Sequence, residues 1–316
     1  MRSLYYSSMP LQRHADLRQK SEWLNAQLAS DNAVVVALWS QQNLVRLSDG
    51  IPEPVYLPIS DAALILGNAA EVIYLGHDDQ TPVFAADMAE LPEKRLNEIL
   101  QHAAPGCEMV NLRRIGTLLE PGQASILALA RAMAFWHQTH KFCSRCGQES
   151  HSKRGGHMRY CEACSNEIFP RIDPAVIMLV EQNDPEDGIA RCLLGRHDKL
   201  PKRMYSTLAG FVDPVENLEQ AVIREVYEEA GLRVSDLSYL ASQPWPFPAS
   251  MMFGFRAKTD DREITIDMDE LEDAAWFTAE EIRAFGEFDG SETEIALPPK
   301  DSIARVLIDT WLEENP

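Results

Sequence analysis

Apolar residues recur along this chain in three rhythms. Over residues 33–85 they come in short runs, at 33–39, 43–47, 54–59, 71–75 and 82–85. Turn-forming residues divide them, notably Ser48-Asp49-Gly50 and Gly76-His77-Asp78-Asp79, which is the rhythm of a mostly antiparallel sheet. Ahead of the runs, Leu17, Trp23, Leu24 and Leu28 predict an amphipathic helix within 12–28. A short helix is expected at 92–102, and a strand and turn at 110–119. The second rhythm is helical and long. Pro121-Gly122 opens it, and Ile126, Leu127, Ala130, Met133, Ala134 and His137 keep helical spacing to about residue 139. Its many alanines permit close packing, so it reads as a core helix joining two domains.

The third rhythm begins after Pro170. Residues 175–181 read as a buried strand, with 191–196 as partner across a turn at 183–188, and 205–209 as a third strand running into Gly210. A helix follows. Asn217 is its expected N-cap, Leu218, Val222 and Val226 share one face, and Gly231 is its stop. Strands are expected at 237–241, 251–257, 264–268 and 272–277. Thr278 should cap a helix over 279–285, and an amphipathic helix over 302–312, with Ile303, Leu307 and Trp311, closes the chain. The expected architecture is α/β: an N-terminal α+β domain over 1–138, a cysteine-bearing segment over 139–170, and a mixed α/β sandwich over 171–316.

Composition narrows this picture. At 316 residues the chain can bury a sizeable core, and 45% hydrophobic with 25% charged is ordinary for a globular protein. No apolar run approaches the roughly 18–20 residues of a membrane span. The N-terminus lacks the apolar centre of a signal peptide and WLEENP is no peroxisomal tail, so the expected compartment is the cytoplasm. A net charge of −20 argues against broad, non-specific binding to nucleic acid or anionic membrane. One basic island stands out in 141–171, with Lys141, Arg145, Lys153, Arg154, Arg159 and Arg171. It reads as solvated hairpins or as a phosphate or RNA contact.

Two clusters carry chemistry. Cys143-x2-Cys146 and Cys161-x2-Cys164, 14 residues apart, suit a tetrahedral Zn²⁺ held by four thiolates, with two disulfides as the alternative. Four thiolates leave no open position for water, so the metal would be structural. Cys107 and Cys192 stand alone. The second cluster lies on the 217–231 helix, where Glu225 and Glu229 are four apart and Glu228 lies beside them. Carboxylates at that spacing repel unless a hard divalent cation such as Mg²⁺ sits among them. A solvated acidic helix is the plainer reading. Downstream, Gln243, Pro244, Trp245, Pro246, Phe247, Pro248, Ala249 and Ser250 form a proline-stiffened loop. Its Trp245 and Phe247 suit stacking on a base or a nicotinamide, with Gln243 and Ser250 for polar contacts.

Residues 210–232 fit G-x5-E-x7-R-E-U-x-E-E-x-G-U, with U apolar, at every fixed position. The chain therefore resembles the Nudix hydrolases. The zinc ribbon and the S-Q-P-W-P-F-P-x-S stretch resemble, within them, the zinc-containing NADH pyrophosphatases. The resemblance implies the Nudix α/β/α sandwich. It implies Mg²⁺- or Mn²⁺-dependent cleavage of NADH or NAD⁺ to nicotinamide mononucleotide and AMP, removal of NAD caps from RNA 5′ ends, and a homodimer. Metal would sit on the Ala209 carbonyl, Glu225, Glu229 and Glu270. Glu228 supports the cluster, and Glu228, Glu229 and Glu270 are candidate bases. Substrate would lie against residues Gln243 to Ser250, near Ala304 and near Phe169. Arg224 is expected to orient Glu216. Three positions depart from the family pattern: Val215 where Gly is usual, Asp213 for Glu, and Phe169 for Tyr; some relatives place an acid where Gly155-Gly156 stands here. Rival readings are a Nudix pyrophosphatase for ADP-ribose or dinucleoside polyphosphates, and a nucleic-acid-binding regulator carrying an inactive Nudix domain.

Overall fold

The computed structural model describes residues 4–183, 187–197, 203–287 and 295–316; the turn expected at 183–188 lies partly outside them. Two compact units divide the chain. One comprises Tyr5–Arg171 with Pro246–Ala249, the other Leu4 with Ile172–Trp245 and Ser250–Pro316.

In the first unit, α1 (Ser21–Leu28) follows a short 3₁₀ turn at Leu17–Gln19. The single helix expected over 12–28 is divided because Lys20 takes an extended conformation between them. Strands β1 (Val34–Trp39), β2 (Gln42–Ser48), β3 (Ile51–Pro54) and β4 (Leu57–Pro58) come next, then α2 (Ala63–Leu66), β5 (Glu71–Asp78), β6 (Thr81–Asp87), α3 (Glu93–Ala103) and β7 (Cys107–Asn111). They form one sheet, ordered β3-β2-β1-β6-β5, with β4 on β1 and β7 on β2. Pairing is antiparallel except between β1 and β6, where Val34 lies opposite Val83 in parallel. The region expected as strand and turn at 110–119 becomes helical sooner. The Asn111 side chain accepts the Arg113 N–H and starts α4 (Leu112–Ile115). Helix α5 (Pro121–Thr139) carries Pro in its first turn and buries Ala124, Ile126, Leu127, Ala130, Met133 and Ala134.

The cysteine ribbon belongs to this unit. Its strands β8 (His151–Lys153), β9 (Met158–Cys161) and β10 (Asn166–Ile168) form a sheet ordered β10-β9-β8. Arg159 on β9 is buried. It donates to the Ser150 carbonyl, to Glu71 at 2.8 Å and to Nδ1 of His137 at 3.0 Å, while His137 Nε2–H donates to the Gly156 carbonyl at 2.8 Å. Gly156 has φ +88°, and a Cβ there would stand 2.8 Å from Ile73. The ribbon is thus keyed onto β5 and α5 by one buried cation and one bare glycine.

The second unit is built on β11 (Asp173–Asn183), β12 (Ala190–Arg196), β13 (Leu208–Phe211), α6 (Leu218–Ala230), β14 (Ser235–Trp245), β15 (Ser250–Lys258), β16 (Asp273–Thr278), α7 (Ala279–Arg283), β17 (Gly286–Glu287), β18 (Ala296–Leu297) and α8 (Ile303–Glu314). The main sheet is ordered β14-β15-β11-β12-β16, with β13 on β11, and only β11 and β15 run parallel. The apolar run of β11 is buried on both faces. Ile177 and Leu179 pack with Ile303, Leu307 and Trp311 of α8; Val176, Met178 and Val180 pack with Ala221, Val222 and Val226 of α6. One helix on each face of the sheet makes the α/β/α sandwich. The strand expected at 264–268 does not form. Its backbone serves the end of α6 instead: Thr265 N–H donates to the Ala230 carbonyl at 2.9 Å and Asp267 N–H to the Glu229 carbonyl at 3.2 Å. Those carbonyls have no partner within the helix, so an adjacent extended segment satisfies them.

Candidate active site: carboxylates gathered by a capped helix

The signature loop and helix are fixed at both ends. The Asn217 side chain accepts the Gln220 N–H and the Gln220 side chain accepts the Asn217 N–H, closing a capping box, and Gly231 ends the helix at φ 71°. This sets α6 so that Ala221, Val222 and Val226 face the sheet and Glu225 and Glu229 are buried beside them, while Glu228 is exposed. Glu225, Glu229 and the exposed Glu270 bring one carboxylate oxygen each to within 4.8 Å of one another.

Gly210 makes room for this. A Cβ on it would fall 1.9 Å from the carboxyl carbon of Glu225, so the carboxylate occupies the space a side chain would fill. Ala209, the residue before it on β13, pairs with Ile177. Burial, followed by the charges of Glu225, Glu270 and Glu228, pushes the Glu229 carboxyl up to about 8. Burial also raises Glu225, against the pull of Arg224. The Oε2 atom of Glu229 is buried and takes no hydrogen bond from any described residue. A cluster of hard oxygen donors, mutually repelling and partly unsatisfied, fits a divalent cation such as Mg²⁺ or Mn²⁺.

Arg224 does more than orient Glu216. Nε and Nη2 grip Glu216 at 2.9 and 2.8 Å. Nη1 donates to Glu225 and to Glu228, both at 2.8 Å, and Nη2 also donates to the Phe211 carbonyl at 2.8 Å. A guanidinium has five N–H donors and all five are engaged, so Arg224 acts on the carboxylates and has none left for substrate. Spacing alone placed Glu225 beside Glu229, but not the guanidinium that Glu225 shares with Glu216 and Glu228.

The departure at Val215 leaves the loop in place. Glu216 N–H donates to the Asp213 carbonyl at 3.1 Å, closing a turn whose third residue, Val215, has φ 71°. That is the conformation for which a type II turn demands Gly. Val215 is fully exposed, so no packing offsets the strain. Val215→Gly should therefore raise stability by about 0.5–1 kcal/mol, the strain relieved exceeding the added chain entropy. A urea midpoint that falls or stays put would contradict this.

The loop read as substrate-binding is divided in its parts. Trp245 is half-buried, whereas Gln243 is fully buried with both ends of its carboxamide engaged on backbone: Nε2 donates to the Asp301 carbonyl at 2.7 Å and Oε1 accepts the Ile303 N–H at 2.8 Å. Pro246 to Ala249 fall in the N-terminal unit, and so does Phe169. There the Phe247 ring lies between the guanidiniums of Arg113, at 4.4 Å, and Arg131, at 4.7 Å, with Tyr6 edge-on at 5.8 Å. Arg131 also donates to the Pro246 carbonyl. Phe247 is thereby an anchor within the chain, held by two arginines that pattern reading had not singled out. Phe169 is exposed, Ser250 half-buried, and Ala304 buried in the first turn of α8.

The four cysteines converge. Sγ of Cys143 lies 3.6 Å from that of Cys164, Sγ of Cys146 lies 3.4 Å from that of Cys161, and all four are within 4.8 Å of one another. Bonds of about 2.3 Å to a tetrahedral zinc place sulfurs about 3.8 Å apart, so the set fits Zn²⁺ and not two disulfides. The Arg145 N–H and the Asn166 side chain donate to Cys143 Sγ. The basic island is largely paired internally: Lys141 with Glu90, Lys153 with Glu162, Arg154 with Glu167, Arg159 with Glu71. Among the described residues no helix is long and apolar enough to cross a membrane.

Comparison with known proteins agrees with this geometry. Residues 171–295 match the NUDIX domain, residues 32–136 the NADH pyrophosphatase-like rudimentary NUDIX domain, and residues 138–169 the NADH pyrophosphatase zinc ribbon domain. The human NAD-capped RNA hydrolase NUDT12 is 33% identical over an alignment covering 99% of this chain and 74% of the relative. The NAD-capped RNA hydrolase NudC of Mycobacterium tuberculosis is 42% identical, covering 65% of each chain. A crystal structure of a NUDIX hydrolase from Nitrosomonas europaea is 26% identical and covers 55% of this chain and 91% of its own, with a TM-score of 0.41. With its glutamate cluster, its four-cysteine ribbon and a relative aligned over 99% of this chain, the chain belongs to the Nudix hydrolases, among those that join an NADH pyrophosphatase-like domain and a zinc ribbon to the Nudix domain.

Proposed function

We propose that this enzyme hydrolyses the pyrophosphate bond of NAD(H), giving nicotinamide mononucleotide (oxidised or reduced) and AMP, and removes NAD caps from RNA 5′ ends. The observation that carries the reading is the oxygen cluster of Glu225, Glu229 and Glu270, with its buried, unsatisfied Glu229 oxygen. The names borne by its relatives support the substrate. Mg²⁺ or Mn²⁺ would be held by these glutamates with the Ala209 carbonyl, and Zn²⁺ by Cys143, Cys146, Cys161 and Cys164. We further propose a cytoplasmic homodimer that does not enter membranes, with domains at 1–138, 139–170 and 171–316.

A phosphoanhydride resists attack because its oxygens are anionic. A bound divalent metal neutralises that charge and lowers the pKa of an attendant water. The protein's part is to hold the donors still. Arg224 takes one oxygen of Glu225, and its grip on Glu216 and Glu228 keeps the loop and the helix face in one arrangement. Glu228, Glu229 and Glu270 are the groups that could accept the proton of the attacking water as it adds across the P–O–P bridge. Trp245 offers the aromatic face for the base or nicotinamide.

The test is a product assay with NADH, NAD⁺, ADP-ribose and 5′-NAD-RNA, with and without Mn²⁺, for the wild type and Glu229→Gln. NADH should yield AMP and reduced nicotinamide mononucleotide. The variant should lose at least about 100-fold in rate with its circular dichroism unchanged. Near-normal hydrolysis by Glu229→Gln would overturn the metal assignment, and a wild type faster on ADP-ribose than on NAD(H) would overturn the substrate.

A further inference from the structure

Gln243 sits at the head of the stretch expected to touch the dinucleotide, yet it is fully buried and both ends of its carboxamide bond to backbone inside the protein. We infer that Gln243 is a positioning residue, a joint that locks the end of β14 to the first turn of α8 and acts on substrate only through Trp245 and Ala304. The inference rests on the NAD(H) reading for the site it serves.

Two independent fits make the joint. The first is the carboxamide. Asp301 and Ile303 flank Ser302, the N-cap of α8, and Gln243 takes a carbonyl from one and an N–H from the other. The Ile303 N–H has no acceptor within its helix, so a buried Oε1 is the partner that lets this helix start be buried. A carboxamide supplies a donor and an acceptor side by side on one fork at any pH, which a carboxyl does only while protonated. The second fit is on the neighbouring strand. A Cβ on Gly254 of β15 would stand 2.7 Å from Cδ1 of Ile303, so the bare glycine is the socket for that side chain. Gly254 pairs with Ala241, next to a register shift in β14. Helix α8 is therefore keyed by hydrogen bonds to β14 and by shape to β15, the two strands joined through residues 246–249. The next residue of the helix, Ala304, inherits its place from both.

Gln243→Glu tests this without emptying the site. A protonated carboxyl keeps the acceptor and still donates to the Asp301 carbonyl; once ionised it sets oxygen against oxygen. Burial keeps such a carboxyl protonated well above its usual range. Each measurement is referred to wild type at the same pH, so that pH effects common to both proteins cancel. In the substrate-free variant, amide exchange at Ile303 and Ala304 should match wild type at pH 6 and rise by about tenfold by pH 9. KM for NADH should rise about tenfold over the same range, with kcat within threefold. Gln243→Leu should show both defects at every pH; if it does not fold, the Gln243→Glu profile stands by itself. Unchanged exchange at Ile303 would refute the joint. Raised exchange with an unchanged KM would leave Gln243 structural only and refute the positioning role. A wild type that does not hydrolyse NADH would instead strike the substrate reading, and the exchange profile would still decide the joint.

Discussion

Gly210→Ala should lose at least about 100-fold in kcat/KM while its melting temperature barely moves. The two effects separate because of what the new methyl group meets. It would fall 1.9 Å from the carboxyl carbon of Glu225, the far end of a flexible side chain, and no backbone atom stands among its nearest neighbours. The fold can therefore yield by swinging that carboxylate away. The site cannot, since Glu225 is one of three oxygen donors within 4.8 Å and is also tied to Arg224 at 2.8 Å. Displacing it by an ångström or more misplaces a proposed metal ligand and pulls on Arg224, which holds Glu216 and Glu228. Stability is insulated further, because Ala restricts the unfolded chain more than Gly does. Raising Mg²⁺ or Mn²⁺ should not restore the rate, since the fault lies in where the ligand points. Kinetics across a metal titration, alongside a thermal melt, give the answer; wild-type turnover would mean that Glu225 is not held against Gly210 in the working enzyme.

The same glycine shows what a sequence can and cannot reveal. Gly210 is a fixed position of the signature, but the reason is tertiary: the carboxylate of Glu225, fifteen residues further along the chain, needs the space. Local rules did well where the cause is local. Asn217 and Gly231 bound α6 as capping predicts, and the unbroken apolar run at 175–180 proved to be a strand covered on both faces, Val176, Met178 and Val180 by one helix and Ile177 and Leu179 by another. They failed where two elements compete for one segment. Residues 264–268 have strand-like alternation, yet the last carbonyls of α6, left without partners in the helix, take the N–H groups of Thr265 and Asp267. The parallel pairing of β1 and β6 is likewise absent from the alternation of either strand, which is the same in both directions. Side-chain destinations were least legible. Gln243 and Phe247 lie in one loop motif and look equally suited to a ligand, but one is spent on Asp301 and Ile303 and the other between Arg113 and Arg131. The gathering of the helix glutamates was legible, since i and i+4 spacing puts Glu225 and Glu229 on one side of α6, where the fold brings them together with Glu270.

Cys161→Ser should melt the ribbon and weaken the N-terminal unit while leaving the Nudix unit folded. A four-thiolate zinc set is worth on the order of 10 kcal/mol to a small domain, more than three short strands can replace from their own packing. Cys161 ends β9, two residues after Arg159, so the disorder would release the guanidinium that is bonded to Glu71, His137 and Ser150. It would also withdraw Gly156 from its seat on Ile73. Glu71 would lose the Arg159 partner that helps hold its carboxyl below the usual range, and β5 and α5 their shared buried cation. The Nudix unit has no such dependence in its interior. Both of its core clusters draw on residues of that unit alone, from Leu4, β11, β12, α6 and α8 among others. Hydrogen exchange should therefore show β8, β9 and β10 losing protection entirely and β5 losing it in part, with β11 and α6 keeping theirs, and bound zinc falling well below one per chain. Full protection of β8–β10 in the variant would show that the ribbon stands without the metal. Collapse of α6 together with β9 would show that the two units unfold as one, which their separate cores argue against.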